Sequence, residues 1–171
     1  MPRGFDVSTE SSASVAEVHA AFRNAGYWQD RLAQFGGDSI RLDSLVVEDG
    51  SVVVSTTQDL RNDVLPGLIA KAVPGDLKVH RRESWNLNEA GVLHGDVTMT
   101  TSGAPISGVA TAQVSPTPAG SVLRFTGSVQ MRMPLIGGPV EKYISAQITQ
   151  EIPGVQHFTT RWINQNAGRY A

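Results

Sequence analysis

The stretch Leu123–Glu151, LRFTGSVQMRMPLIGGPVEKYISAQITQE, changes its period half-way along. From Leu123 to Met133 apolar and polar residues alternate, the two-residue period of a strand with one buried face. Past Pro134 and the pair Gly137-Gly138 the period lengthens. Val140, Tyr143, Ile144, Ile148, Ile152, Val155, Phe158 and Trp162 then recur at steps of three or four. Pro139 suits the first turn of a helix. A helix striped over that length can cross a whole domain, and its apolar face needs a surface to lie on. Pro153-Gly154 falls inside the stripe and is expected to kink or interrupt it.

The rest of the chain supplies the sheet. Phe5, Val7 and Thr9 alternate with Asp6 and Ser8 as a short first strand. Ser14 and Glu17 have capping-box spacing, and Val15, Val18 and Phe22 share the face of the helix that follows. Gly26 is expected to end that helix, with Trp28, Leu32 and Phe35 marking a second one before Gly36-Gly37. From Asp38 the period is two, and Asp49-Gly50 is a hairpin signal. The segments KVHRRESWNLN, LHGDVTMTT, ISGVATAQVS and SVLRFTGSVQMRM continue the pattern to about seven strands. Residues 59–77 are too long for a hairpin loop and carry Leu65, Leu68, Ile69 and Val73 at helical spacing. They form a short amphipathic helix across one end of the sheet, as a plug or as a mobile lid.

With 171 residues, the chain suits one domain over 1–171. A hydrophobic fraction of 40% and a charged fraction of 18% are ordinary for a soluble globular chain. The net charge of -2 argues against nucleic acid as a partner. The basic run KVHRR divides between strand faces, with Arg81 opposite to Lys78, His80 and Arg82. Cysteine is absent, which excludes disulfides and thiolate chemistry. His19, His80, His94 and His157 have no metal-ligand spacing, and no phosphate loop, dinucleotide fingerprint or nucleophile elbow is present. No metal or cofactor is expected. Neither a signal peptide nor a bilayer-spanning stretch is seen, so a cytoplasmic protein without stable membrane insertion is the expectation.

The pieces ESW (Glu83–Trp85), GAPISG (Gly103–Gly108) and MPLIGGPVEKYI (Met133–Ile144), set in this order of elements, carry a resemblance over essentially the whole chain. The chain resembles the START-like, or SRPBCC, superfamily, which includes birch-pollen-allergen-like proteins and polyketide cyclases. It looks most like an actinobacterial domain-of-unknown-function family within it. The resemblance implies an α+β helix-grip fold in the order β-α-α-β-β-β-β-β-β-α. A curved antiparallel sheet of about seven strands would wrap around the long C-terminal helix. These pieces are structural signatures, so fold transfers better than function.

Whether such an interior is hollow turns on side-chain size. The sixth strand would present Ile106, Gly108, Ala110, Ala112 and Val114 inward, and the last strand Phe125, Gly127, Val129 and Met131. Small residues on a wrapped sheet leave space beneath a helix. Candidate lining residues are Leu65, Leu68 and Ile69 from the connecting segment and Trp85, Val97, Met99 and Ala110 from the sheet. The helix would add Tyr143, Ile144, Gln147 and Ile148. Alternatively Trp85, Phe125 and Trp162 fill the gap, and Gly127 only bends its strand.

Register decides which polar groups point inward. If Glu89-Ala90-Gly91 is a three-residue turn with Gly91 left-handed, then Leu87 faces Leu93, Trp85 faces Gly95, Glu83 faces Val97 and Arg81 faces Met99. A one-residue slip would bring His94 and Asp96 inside instead. In the first register Arg81 and Glu83 share the inner face, roughly 7 Å apart. They are then either mutual counter-charges at a ligand site or an ion pair at a solvated strand end.

The expected function is binding of a hydrophobic small molecule, lipid or polyketide-like, between sheet and helix. Two alternatives stand beside it. One is a cyclase- or dehydratase-like enzyme in which Arg81 orients the substrate and Glu83 acts as acid or base. The other is docking of a protein partner through residues 59–77.

Overall fold

The computed structural model describes residues 2–166. Strand β1 (Arg3–Ser11) leads into helices α1 (Val15–Phe22) and α2 (Ala25–Gly36). Strands β2 (Ile40–Glu48) and β3 (Ser51–Leu60) follow, then the short helix α3 (Gly67–Ala72). Strands β4 (Leu77–Leu87), β5 (Leu93–Ser102), β6 (Ile106–Thr117) and β7 (Gly120–Met131) precede the long helix α4 (Gly137–Gln165). Single 3-10 turns at Gly37–Ser39 and Asn62–Val64 complete the connections. One seven-stranded antiparallel sheet runs in the order β1-β7-β6-β5-β4-β3-β2, so α1 and α2 carry the chain from one edge to the other. This is the expected α+β helix-grip architecture.

Local chemistry explains most boundaries. Ser14 Oγ accepts from the Glu17 amide at 3.1 Å, and Glu17 returns the contact to the Ser14 amide at 2.9 Å. The break between α1 and α2 comes at Arg23-Asn24 and not at Gly26. Asn24 Oδ1 caps α2 by accepting from the Gly26 amide at 2.8 Å, so Gly26 lies inside the new helix. Asp49 and Gly50 both take positive φ, 49° and 82°, the two-residue turn that suits the twist of β2 and β3. Asp43 is the extra residue of a bulge in β2, and its carboxylate accepts from Thr57 Oγ1 (2.5 Å) and Arg41 Nε (3.1 Å).

Two features shape the entry into α4 and its course. The left-handed position in the β7–α4 turn belongs to Leu135 (φ 67°), not to a glycine. Gly137 is needed for closeness, since a Cβ there would stand 2.5 Å from the Met131 carbonyl oxygen, while Gly138 faces open space. Glu141 pins the same corner, its buried carboxylate accepting from the Met131 amide at 2.8 Å. Pro153 does not interrupt α4, which runs unbroken from Gly137 to Gln165. Pro153 and Thr149, whose carbonyl loses its partner, are both outside the buried core, so water can take the missing bond.

The interior falls into two clusters. One gathers Tyr27, Trp28, Phe22, Trp85 and the C-terminal half of α4 with Phe158 and Trp162. The other gathers Leu65, Ile69, Val73, Ile106, Met131 and Val140 around α3 and the start of α4. Helix α4 lies along β1 and β7 and passes over both. The 59–77 segment packs onto the sheet: Leu65, Ile69, Ala72 and Val73 are buried, and only Val64 and Leu68 turn their bulk outward. Among the described residues no helix is long and apolar enough to cross a membrane.

Candidate functional site

The β4–β5 register is the expected one. Leu87 pairs with Leu93, Trp85 with Gly95, Glu83 with Val97 and Arg81 with Met99. Gly91 has φ 80°, and the Asn88 amide donates to the Val92 carbonyl at 2.9 Å, closing the three-residue turn. Gly95 has no side chain because Trp85 lies over it; a Cβ would stand 2.6 Å from the indole ring. The indole also meets Phe22 at 4.8 Å between centroids and donates through Nε1 to Glu83 Oε1 at 3.2 Å.

Glu83 is therefore wholly inside, with 4% of its surface exposed. Arg81 Nε lies 3.3 Å from Glu83 Oε2, off the axis of a hydrogen bond, and this Nε is buried without another partner. Arg31 of α2 reaches the same space, its guanidinium 4.8 Å above the Trp28 ring. Burial alone would push the Glu83 carboxyl up. The positive charges of Arg81 and Arg31, with the Trp85 N–H, overcome that and hold it below its ordinary value. Burial likewise raises the Tyr27 phenol, which donates a hydrogen bond to Thr159 Oγ1 at 2.5 Å; Thr159 in turn donates to the Val155 carbonyl.

A cavity opens beside this cluster, at the seam between the two cores. The sheet contributes Val97, Met99, Gly108, Ala110, Phe125 and Val129. The middle of α4 contributes Ile148, Glu151, Ile152 and Val155, with Phe5, Arg31 and Arg81 at the sides. Phe5 stacks on Phe125 at 5.6 Å and 16°, forming a flat aromatic wall. The cavity has a volume of about 80 Å³. The opening lies by Glu151, which is exposed, and by half-buried Arg31 and Val155.

Of the residues singled out from sequence, Arg81, Val97, Met99, Ala110, Phe125, Val129 and Ile148 border this cavity. Glu83 and Trp85 are buried immediately behind it. Leu65, Ile69, Met131, Tyr143 and Ile144 belong instead to the second core cluster, because α3 packs on the far end of the sheet. Leu68 is 39% exposed, and Gln147, half-buried, does not border the cavity. Gly127 lets β6 and β7 close up, since a Cβ there would stand 2.2 Å from the Val109 carbonyl oxygen. Sequence reasoning missed Phe5 and above all Arg31. Its three-residue spacing from Trp28 was the available signal.

Comparison with known proteins places this geometry. A crystal structure of TTHA0849 from Thermus thermophilus superposes with a TM-score of 0.62 at 11% identity, covering 97% of this chain and 100% of that one. Norcoclaurine synthase from Thalictrum flavum, in complex with dopamine and hydroxybenzaldehyde, superposes with a TM-score of 0.53 at 16% identity, covering 98% and 90%. Both likenesses concern the fold alone, the helix-grip fold. In sequence, the uncharacterized protein Rv0481c of Mycobacterium tuberculosis is 39% identical over 173 residues, 97% of this chain and 99% of its own. Residues 6–163 match the family described as "Protein of unknown function (DUF2505)", and the chain belongs to that family.

Proposed function

We propose that the protein binds a small hydrophobic molecule in the cleft between the sheet and the middle of α4. The observation that carries this is the apolar cavity at the seam of the two cores, open to solvent beside Glu151. Ligand pockets are commonly about 300–1,000 Å³, and an engineered apolar cavity of roughly 150 Å³ accepts benzene. At about 80 Å³ the cavity is smaller than either, so a ligand requires it to widen. Met99, Phe5 and Ile148 are only half-buried, and their movement would widen it.

The enzymatic alternative draws less support from the same residues. A carboxyl kept ionised by two guanidiniums is a poor proton donor and a weak base. Glu83 is therefore a structural anion that positions Arg81. Docking through the 59–77 segment would have to use Val64 and Leu68, since its other large apolar residues are buried or half-buried.

The test is titration of isotope-labelled protein with 1-octanol and with N-phenyl-1-naphthylamine, following backbone and methyl NMR signals. Binding is expected to shift Val97, Ala110, Val129 and Ile148 while leaving Leu65, Ile69 and Val73, at the α3 end of the second cluster, unmoved. Ala110→Leu, which fills the cavity from the sheet side, is expected to abolish those shifts while the protein stays folded. Unchanged spectra at saturating concentrations of both compounds would overturn the proposal.

A further inference from the structure

Resting on that binding site, the charge at its wall fixes the class of ligand. Two guanidiniums, Arg31 and Arg81, border the cavity, and only one buried carboxylate, Glu83, is set against them. That carboxylate is already engaged, with Oε1 accepting from the Trp85 indole and Oε2 facing Arg81. Among the described residues Arg31 has no carboxylate within 4.0 Å. It is stacked on Trp28, which holds the plane of the guanidinium, and its polar neighbour is the Tyr27 phenol. That phenol is neutral at pH 7, so the charge of Arg31 has no anion in direct contact. Arg81 Nε is likewise buried without a properly aligned acceptor.

We infer that the cavity takes an amphipathic monocarboxylic acid, its apolar body against Phe125, Ala110 and Ile148 and its carboxylate between Arg31 and Arg81. The charge count selects a monoanion. At the inner wall Arg31, Arg81 and Glu83 sum to one excess positive charge; Glu151, exposed to water at the mouth, brings the total to zero and opposes any second negative charge on the ligand. A planar carboxylate matches the fork of a guanidinium, and in an apolar cleft such a contact is worth more than in water. A neutral alcohol can accept from one arginine but leaves the excess charge uncompensated. An amine places like charge beside it.

The experiment compares octanoate, 1-octanol and octylamine at pH 7 by calorimetric and NMR titration of the full chain. Octanoate is expected to bind at least about tenfold more tightly than octanol, the size of one charge-assisted hydrogen bond, and octylamine more weakly than either. The octanoate-to-octanol preference is expected to fall about tenfold in Arg31→Gln, and to shrink as salt is raised. Arg81→Gln leaves Glu83 without its contact partner, so Arg81→Gln combined with Glu83→Gln serves if the single variant is unstable. Equal binding of octanoate and octanol overturns the acid preference but leaves the hydrophobic site standing. A preference that survives in Arg31→Gln overturns the assignment of its source. Failure of all three compounds to bind overturns the site itself.

Discussion

Glu83 shows how one buried ionisable residue makes stability depend on pH. Its carboxyl titrates below its ordinary value of 4.5 in the folded protein because Arg81 and Arg31 outweigh the effect of burial. A carboxyl with a depressed folded pKa contributes stability that is complete above its unfolded pKa. That contribution is lost as pH falls through 4.5 towards the folded value. Glu83→Gln is therefore expected to flatten the acid limb of the stability curve. At pH 7 it is expected to destabilise the protein by about 2 kcal/mol, measured by urea unfolding. This lies below the roughly 3–5 kcal/mol for breaking a fully buried pair, because the Arg81 side chain is 37% exposed and can turn to water. Arg81 and Glu83 were legible as a pair because a single strand carries both. Arg31 was not, since its approach to β4 is set by how α2 crosses from one sheet edge to the other.

At the scale of elements, a glycine under the indole and a proline in the long helix have opposite consequences. Gly95→Ala is expected to destabilise by about 1–3 kcal/mol, because its methyl would press on the Trp85 ring, and to weaken near-ultraviolet signals from that indole. Pro153→Ala is expected to stabilise by about 1 kcal/mol or more, raising the melting temperature, because it restores a helical hydrogen bond on the solvent side of α4. The β4–β5 register could be read from sequence because only one alignment buries the apolar set and gives Gly91 its left-handed turn. The α1–α2 boundary could not, since Asn24 caps so close to Gly26 that the glycine looked like the breaker. The position of α3 was equally hidden: periodicity gives a helix a face but not the end of the sheet on which that face lands.

Across the whole molecule, the order of elements and the change of period at Met133 carried the resemblance that implies the helix-grip fold, whereas the two-part core was not legible. Its division reflects the charged trio and the small residues of β6 meeting at mid-sheet, a long-range coincidence. Ligand at a hundredfold excess over its dissociation constant is expected to add about 2.7 kcal/mol of stability, read as a rise in melting temperature. Ala110→Leu is expected to remove that rise.

The seam between the aromatic cluster and the α3 cluster also sets how the protein breathes. Each nucleus is expected to loosen while the other holds, with α4 as the beam that ties them across β1 and β7. A guest lodged at mid-beam touches both nuclei and acts as mortar. Deuterium uptake at amides 145–152 is therefore expected to slow on loading, and to slow more than uptake at either end of the beam.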